Sequence, residues 1–276
     1  MRWPSFALSL CLWPFGSQAG AAEATNAHDT LAALASAQEE RTTLVVQDAH
    51  GVRWVSDLTE AQRRSVPAST FKIASTLAAL EAGLVEDANA ILPWDGVRRD
   101  REEINGDLSL RDAFHRSALP HFQALVGRLG PAAMAAFLKR VGYGNAQSDD
   151  GVEFWLRGPL AISPLEQIAF LGAVRAQRLT ASPAAQATLW ALMAKPQLEG
   201  SPWRGKTGWS RPPGGPDVGW FVGALEGSAG PCFVAVRLET DHPNPATFLG
   251  KREALAQRAL RVFPSCLAPA VGENPA

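Results

Sequence analysis

Residues 203–239, WRGKTGWSRPPGGPDVGWFVGALEGSAGPCFVAVRLE, indicate the class of fold. They contain three segments rich in aromatic and β-branched side chains, separated by glycine- and proline-bearing turns. This pattern predicts strands over 203–209, 217–226 and 232–239. Strands that follow one another through short connections usually pair in antiparallel fashion. We therefore expect an antiparallel sheet in the carboxyl-terminal part of the chain.

A second pair of strands lies far upstream. TTLVVQD (42–48) and GVRWVSD (51–57) alternate in polarity around a turn at Ala49 and His50, which predicts a hairpin. The other periodic segments are helical. Helices are predicted over 27–40, 69–82, 117–129, 131–140, 164–177, 182–194 and 249–262.

These elements predict an α+β fold, in which an antiparallel sheet is flanked by helices. The sheet-forming parts are 42–57 and 203–262, and a mostly helical subdomain over roughly 69–195 is inserted between them. The charged stretch 98–103 is expected to be a solvated loop, and the segment after Phe263 is expected to fray.

The amino terminus is typical of an exported protein. Met1 and Arg2 precede an apolar stretch over 6–15, and small residues follow up to Ala21. This layout predicts a cleavable signal peptide over 1–21 and one catalytic domain over 22–276. The stretch is too short for a permanent membrane span, so the mature protein is expected to be periplasmic or secreted, without a membrane anchor.

Charge and cysteine content exclude some partners and leave one question open. The chain has 26 Lys and Arg against 27 Asp and Glu, scattered along its length, which does not favour nucleic acid or an anionic membrane as a partner. After the predicted leader only Cys232 and Cys266 remain. An oxidising compartment would permit a disulfide between them, and both the bridged and the free forms stay open.

A buried lysine marks the first candidate site. In PASTFKIASTLAALEAG (67–83), Lys72 is the only ionisable side chain between Ser69 and Leu80. Residues three apart share a helix face, so Ser69 and Lys72 point the same way. Burial lowers the pKa of a lysine, and a neutral amine can take the proton from a serine hydroxyl. Taken alone, S-x-x-K is a common motif and does not assign a function.

A second motif is misleading by itself. GSPWRGKT (200–207) matches the phosphate-loop pattern G-x-x-x-x-G-K-[ST] in every letter. A phosphate loop must leave a strand and enter a helix, whereas this segment follows a predicted helix and precedes Gly208 and a proline-glycine turn. We therefore interpret Lys206 and Thr207 as part of a strand and not as a nucleotide site.

Ser69, Lys72 and the K-T-G triplet together form the motif pair of the serine β-lactamases and penicillin-binding proteins. The chain closely resembles the class D β-lactamases over about residues 42–262. The resemblance is carried, in the same order and spacing, by PASTFKI (67–73), YGN (143–145), FWLRGPLAIS (154–163), KTGWS (206–210) and LGKREAL (249–255). It implies a transpeptidase-like fold and hydrolysis of β-lactams.

The resemblance also implies roles for the catalytic residues. Ser69 corresponds to the nucleophile, and Lys72 to a lysine that reacts with carbon dioxide to give a carbamate, the general base for acylation and deacylation. Trp155 corresponds to the indole that donates a hydrogen bond to the carbamate. Ser117 corresponds to the residue that relays a proton to the leaving nitrogen, and Lys206 to a cation near the substrate carboxylate.

The same resemblance implies the substrate-binding residues. Arg252 supplies the fork that binds the carboxylate, and the N–H of Trp209 is the second oxyanion donor, with Gly208 leaving room for the substrate. Leu119 stands where the family has valine, which puts the path of the hydrolytic water in doubt. The implied substrate-binding set is Leu119, Leu156, Thr207, Gly208, Trp209 and Arg252.

Other features receive structural interpretations. Tyr143–Asn145 is expected to shape a tight turn, and Glu166 is expected to be a solvated helix residue. The five histidines show no metal-ligand spacing, so we expect no metal and no cofactor other than the carbamate. Loops around 94–106 and 210–218, where the resemblance is weakest, are expected to set the substrate range.

Two alternatives remain, a penicillin-binding DD-peptidase and a β-lactam sensor domain that is acylated without turnover. Either would share the serine, the first lysine and the K-T-G lysine. For all three functions the ligand is a small molecule, and both a monomer and a homodimer are compatible with the sequence.

Overall fold

A computed structural model describes residues 18–227 and 229–267 of the protein. The helices are α1 (Gln18–Ser36), α2 (Leu58–Gln62), α3 (Lys72–Glu81), α4 (Leu110–His115), α5 (Leu119–Leu129), α6 (Pro131–Val141), α7 (Pro164–Arg175), α8 (Pro183–Leu192), α9 (Pro245–Leu260) and α10 (Pro264–Leu267). The strands are β1 (Arg41–Gln47), β2 (Arg53–Val55), β3 (Ile91–Leu92), β4 (Leu108–Ser109), β5 (Ala194–Leu198), β6 (Ser201–Ser210), β7 (Asp217–Gly227) and β8 (Gly230–Thr240). Short 3-10 helices cover Ala68–Phe71 and Glu102–Ile104.

The main sheet has six strands in the order β2-β1-β8-β7-β6-β5, and every neighbouring pair is antiparallel. The predicted hairpin and the three predicted carboxyl-terminal strands are therefore confirmed. β1 crosses the sequence to pair with β8, so the two ends of the chain form one sheet around the inserted helices. β3 and β4 form a separate two-stranded hairpin within the insertion.

Both faces of the central strand β7 are buried, which explains its nearly continuous apolar sequence. Successive side chains of a strand point to opposite faces. Trp220 accordingly packs into the core shared with the helical subdomain, while its neighbour Phe221 packs into the core beneath α1 and α9. The sheet separates two hydrophobic cores, and the helical subdomain packs against one of its faces.

Several element boundaries differ from the sequence prediction. The first helix ends at Ser36, before the predicted limit of 40. The segment predicted as one helix over 69–82 is divided into the 3-10 turn and α3, and Gly83 follows with a φ of 64° as a glycine does after a helix. The last long helix begins at Pro245, because Asn244 caps it, and not at 249. The sequence analysis missed the helices α2, α4 and α10 and the strands β3, β4 and β5.

The carboxyl-terminal segment is more ordered than predicted. Cys232 on β8 and Cys266 on α10 form a disulfide, with their Cα atoms 5.6 Å apart. The expectation that the chain frays after Phe263 is therefore wrong for 264–267. The bridge closes a loop of 34 residues and holds α10 against the sheet.

Residues 1–17 of the predicted signal peptide lie outside the described residues. Within the part of the chain that is described, none of the helices is long and apolar enough to cross a membrane. The same residues contain no group of three or more His, Cys, Asp or Glu side chains that could hold a metal ion.

Candidate active site

Ser69 lies in a tight turn at the start of α3. Ala68–Phe71 form a 3-10 helix, and α3 continues directly from Lys72. Ala68 has a φ of 51°, a left-handed conformation that costs a non-glycine residue about 1–3 kcal/mol and occurs preferentially at functional sites. The amide nitrogen of Ala68 donates to the carbonyl oxygen of Trp155 at 2.9 Å. The turn is thereby attached to the segment that carries Trp155.

Buried polar side chains hold this turn from beneath. Thr70 Oγ1 donates to the carbonyl oxygen of Pro67 at 2.6 Å, and Gln167 Nε2 donates to Thr70 Oγ1 at 2.8 Å. Trp220 Nε1 donates to the carbonyl oxygen of Val66 at 2.9 Å. The sequence analysis missed Gln167 and Trp220, because their hydrogen bonds join residues 97 and 154 positions apart.

Lys72 is buried one turn after Ser69. It is 1% exposed, its Nζ lies 3.2 Å from Ser69 Oγ, and the same atom lies 5.0 Å from the centroid of the Phe122 ring. Burial, followed by the charge of Arg101, lowers the pKa of Lys72 from 10.5 to about 7. Near neutral pH a large fraction of this amine is uncharged, so Lys72 can accept a proton from the serine hydroxyl.

Trp155 contributes an unused hydrogen-bond donor to this apolar region. Its ring is fully buried and stacks on Phe71, the residue before Lys72, with the ring centroids 5.0 Å apart. Its Nε1 is buried and has no hydrogen-bond partner among the described residues. A buried N–H without an acceptor costs about 1–3 kcal/mol. The Trp155 N–H is therefore available to donate a hydrogen bond to an acceptor group that is added to the site.

Ser117 and Lys206 form a second pair of site residues and contact each other directly. Ser117 has a φ of 51° and lies just before α5, although helix was predicted from 117. Lys206, on β6, donates from Nζ to Ser117 Oγ and, at 3.0 Å, to the carbonyl oxygen of Thr207. Burial, and secondly the charge of Lys72, holds the pKa of Lys206 well below 10.5. An anionic ligand that approaches this amine favours its charged form.

Arg252 reaches the same wall from α9. It is 6% exposed, and its Nη1 donates to the carbonyl oxygen of Gly208 at 2.5 Å. Its Nε and Nη2 donate to the carbonyl oxygen of Leu249 at 2.9 and 2.7 Å. Burial lowers the pKa of Arg252 to about 10, so the guanidinium stays charged at neutral pH. Gly219 makes the space for it, because a Cβ at that position would lie 3.1 Å from Arg252 Cδ.

One edge of β6 is open beside Ser69. β5 pairs with β6 only at Ser201, Trp203 and Arg204, whereas β7 pairs with β6 along its length to Ser210. The segment 206–210 therefore keeps one unpaired edge within the described residues. A Cβ at Gly208 would lie 3.2 Å from the amide nitrogen of Ser69, so the glycine lets this edge approach the turn.

These elements surround a cavity of about 650 Å³. Eight of the eleven predicted site residues line it, namely Ser69, Ser117, Leu119, Leu156, Thr207, Gly208, Trp209 and Arg252. The other three, Lys72, Trp155 and Lys206, are buried behind this lining. The predicted set is thus brought together at one place. The cavity is also of a size that suits a small-molecule ligand.

Four further arginines line this cavity, and the sequence analysis did not identify them. They are Arg101, Arg116, Arg157 and Arg211. The interpretation of 98–103 as only a solvated loop is therefore incomplete. Arg101 Nη2 donates to the carbonyl oxygen of Arg116 at 2.7 Å, which places this part of the loop on the cavity wall. The poorly matching loops 94–106 and 210–218 contain four arginines and five acidic residues, so their charge gave no signal of this set.

Two other predicted features are structural. Gly144 has a φ of 53° in a tight turn, and a Cβ there would lie 2.2 Å from the carbonyl oxygen of Ala161. Asn145 Nδ2 closes that turn by donating to the carbonyl oxygen of Pro159 at 2.7 Å. Glu166 is not simply solvated, because it forms the capping box of α7 with Ser163 and an ion pair with Arg64.

The chain is similar to known proteins over most of its length. It matches the family model "Penicillin binding protein transpeptidase domain" over residues 26–261. It is 34% identical over 260 residues to β-lactamase OXA-3 of Pseudomonas aeruginosa and 35% identical over 260 residues to β-lactamase OXA-2 of Salmonella typhimurium. Each of these alignments covers 93% of this chain and 92% of the relative.

Solved structures agree with these relatives. The class D β-lactamase FUS-1 (OXA-85) of Fusobacterium nucleatum subsp. polymorphum superimposes with a TM-score of 0.80 at 28% identity, covering 86% of this chain and 98% of that one. The class D β-lactamase YbXI of Nostoc gives a TM-score of 0.77 at 30% identity, covering 87% and 98% of the respective chains. The fold, the assembled site residues and these relatives lead to one conclusion: the chain belongs to the class D β-lactamases.

Proposed function

We propose that this protein hydrolyses β-lactams through an acyl-enzyme on Ser69, with carboxylated Lys72 as the general base. One observation carries the proposal. A serine hydroxyl lies 3.2 Å from a fully buried lysine whose pKa is about 7, beside an open strand edge and an arginine that remains charged. The names of the relatives as β-lactamases support β-lactams as the substrate class.

Acylation opens the ring. Ser69 Oγ attacks the β-lactam carbonyl carbon while the Lys72 side chain takes the hydroxyl proton. The backbone N–H groups of Ser69 and Trp209 donate to the oxygen that becomes negative. The carbon–nitrogen bond then breaks, Ser117 passes its hydroxyl proton to the ring nitrogen, and the proton that Lys72 took from Ser69 restores the Ser117 hydroxyl. Lys206, which donates a hydrogen bond to Ser117, stabilises the serine as it gives up its proton.

The substrate carboxylate binds near Arg252, Lys206 and Thr207. Arg252 has the planar donor fork that binds both oxygens of a carboxylate. In the free protein its nitrogens donate to backbone carbonyls, so binding the substrate exchanges neutral acceptors for a charged one. The amide of the substrate then pairs with the open edge of β6 as an added strand would.

The surroundings of Lys72 fit a carbamate on its Nζ. Carboxylation requires a neutral amine, which burial provides, and the Nε1 of Trp155 is a buried donor that has no partner in the part of the chain that the structure describes. When present, the carbamate supplies an anionic base of the kind that both half-reactions need. Trp155 would hold this group by donating a hydrogen bond, and Phe71 would keep the indole in place by stacking.

Deacylation requires a water molecule beside the acylated Ser69. Leu119 and Leu156 line the cavity next to the serine and are both half-buried. Leu119 stands where the family has valine, so its side chain is one methylene larger in the lining that it shares with Ser69. We expect this leucine to influence the rate of deacylation more than the rate of acylation.

We also propose that residues 1–21 are a signal peptide and that the catalytic domain of residues 22–276 works in the periplasm or outside the cell. The Cys232–Cys266 disulfide supports an oxidising compartment, because such bonds are rare in reducing ones. The proposed ligand is a small β-lactam, and the proposed reaction uses no metal.

A turnover assay with one substitution tests this function. Purified protein should hydrolyse many equivalents of a chromogenic cephalosporin, and Ser69→Ala should abolish hydrolysis while keeping the melting temperature within a degree or so. Ser75→Ala is the matched control, since Ser75 is a buried serine on α3 whose Oγ has no hydrogen-bond partner among the described residues. That control should remain active.

Mass spectrometry identifies the nucleophile and separates the alternatives. A slowly hydrolysed β-lactam should leave one adduct, and peptide mapping should locate it on Ser69. An adduct on another residue contradicts the assignment. Slow cephalosporin turnover with cleavage of D-alanyl-D-alanine peptides would indicate a DD-peptidase, and consumption of a single equivalent would indicate a sensor.

A further inference from the structure

The walls of the active-site cavity are strongly basic. Besides Arg252, the arginines Arg101, Arg116, Arg157 and Arg211 line it, and no aspartate or glutamate among the described residues does. The whole chain has a net charge of −1, so the cations are concentrated at this cavity and not evenly spread. A cleft lined by charges of one sign raises the local concentration of ligands with the opposite sign.

Arg157 and Arg211 both line the cavity, and a hydrogen bond joins the chain segments that carry them. Ser210 Oγ, at the end of β6, donates to the carbonyl oxygen of Leu156 at 2.5 Å. This hydrogen bond joins the two chain segments immediately before Arg157 and Arg211. Their side chains are 63% and 67% exposed, so both guanidinium groups are accessible to a ligand.

Each of these arginines has N–H groups that can donate to a ligand. Arg157 Nε lies 3.3 Å from Glu153 Oε2, and Arg211 Nε donates to Asp217 Oδ2 at 2.8 Å. These acidic residues orient the side chains but do not line the cavity. Within the described residues the terminal nitrogens of Arg157 and Arg211 donate no hydrogen bond, so these N–H groups are available to a carboxylate or sulfonate of a ligand.

The position of this pair relative to the substrate follows from the proposed function, on which the inference rests. With the ring carboxylate near Arg252 and the substrate amide paired with the edge of β6 at Trp209, the acyl group extends along β6 in the direction of its end. The next residues in that direction are Ser210 and Arg211. The α-carbon of the acyl group therefore lies on the side of the cavity that Arg211 lines, and the Ser210–Leu156 hydrogen bond brings the segment of Arg157 to the same side.

We propose that Arg157 and Arg211 bind a second anionic group on the acyl side chain, so that dianionic β-lactams are preferred substrates. The chemical class comprises penicillins and cephalosporins with a carboxylate or sulfonate on the acyl α-carbon. Such a group has the charge and the paired oxygens that arginine recognises. The other pair, Arg101 and Arg116, lies beside Ser117 and adds to the general attraction for anions.

Carbenicillin and benzylpenicillin test the proposal, because they differ only by the carboxylate on the acyl α-carbon. The ratio of their kcat/KM values should fall roughly five- to tenfold in the double variant Arg157→Gln/Arg211→Gln, since two exposed charge pairs are lost. Arg261→Gln is the matched control. Arg261 is also half-exposed with its Nε on a carboxylate, Glu199 at 2.7 Å, but it does not line the cavity. It should leave the ratio unchanged.

Ionic strength and binding provide independent readouts. Raising the salt concentration from about 0.01 to 0.15 M shortens the screening length from roughly 30 to 8 Å, so it should lower the ratio in wild type more than in the double variant. In the Ser69→Ala background, the Kd for intact carbenicillin should rise about five- to tenfold on removing both arginines, while the Kd for benzylpenicillin should change less than twofold.

An unchanged ratio in the double variant, or an equal loss for both penicillins, overturns the proposal. Failure of wild type to hydrolyse benzylpenicillin contradicts the proposed function instead. In that case the two Kd values measured with Ser69→Ala still decide whether this pair of arginines selects dianionic ligands.

Discussion

Replacing Trp155 by phenylalanine tests whether the general base is a carboxylated Lys72 or its free amine. Phenylalanine keeps the aromatic stacking on Phe71, where the ring centroids are 5.0 Å apart, and removes the only polar atom of the indole. A hydrogen bond to a charged group contributes about 1.5–3 kcal/mol. Its loss should therefore weaken carboxylation roughly ten- to hundredfold, which is seen as a higher bicarbonate concentration for half-maximal activity.

The pH dependence has a definite sign. Only the neutral amine of Lys72 reacts with carbon dioxide, and its pKa is about 7. Roughly half of the amine is neutral at pH 7 and about a tenth at pH 6. Activity in bicarbonate-poor buffer should thus fall as the pH drops below 7 and recover on adding bicarbonate. The Trp155→Phe variant should show the same fall with a weaker recovery.

The assay is steady-state hydrolysis of benzylpenicillin against bicarbonate concentration, with carbon-labelled bicarbonate to detect the carbamate by NMR. The matched control is Trp203→Phe, because Trp203 also stacks on a phenylalanine, at 5.1 Å, but donates its N–H to Glu253 away from the cavity. The control should keep the bicarbonate dependence of wild type. The reasoning is refuted if wild type shows neither bicarbonate dependence nor a carbamate signal, or if Trp155→Phe behaves like wild type.

Three further substitutions test the carboxylate-binding Arg252, the open edge of β6 and the disulfide. Arg252→Ala should raise KM for benzylpenicillin about ten- to hundredfold, because a charge-assisted hydrogen bond contributes about 1.5–3 kcal/mol, and an unchanged KM would contradict its placement. Gly208→Ala should lower kcat/KM at least tenfold with little change in Tm, since its Cβ would lie 3.2 Å from the Ser69 nitrogen and force β6 away from the turn. Replacing Cys232 and Cys266 by serine should lower the free energy of unfolding by about 3–4 kcal/mol for a loop of 34 residues, measured by denaturant titration, and leave kcat/KM unchanged. Equal stability with and without a reducing agent would contradict the last expectation.

The architecture was largely predictable because its signals are local. Alternation of apolar residues around a turn identified β1 and β2, and the glycine-separated apolar segments identified β6, β7 and β8. Short connections then required antiparallel pairing. The missed elements are α2, α4, α10, β3, β4 and β5, which span only two to six residues each, too few to establish a period.

Some residues of the candidate site were also predictable from the sequence, and others were not. Spacing alone places Ser69 and Lys72 on one face, and the glycine at 208 is visible in the motif. The supports of the nucleophile turn are not visible, because Gln167 and Trp220 act through single hydrogen bonds to distant residues. A buried glutamine or tryptophan has the same sequence pattern whether it fills a core or holds a catalytic turn.

By itself the sequence determined the order of the longer strands and helices, the serine and lysine pairing and the membership of a family, since these depend on periodicity and on short motifs. Only the tertiary structure decided that Cys232 and Cys266 are bonded, that the indole N–H of Trp155 has no partner among the described residues, and that arginines from separate loops share one cavity. The burial of a side chain and its distance to other groups depend on residues that are far apart along the chain. The pKa of Lys72 is therefore lowered to about 7 only in the folded protein, where the side chain is buried.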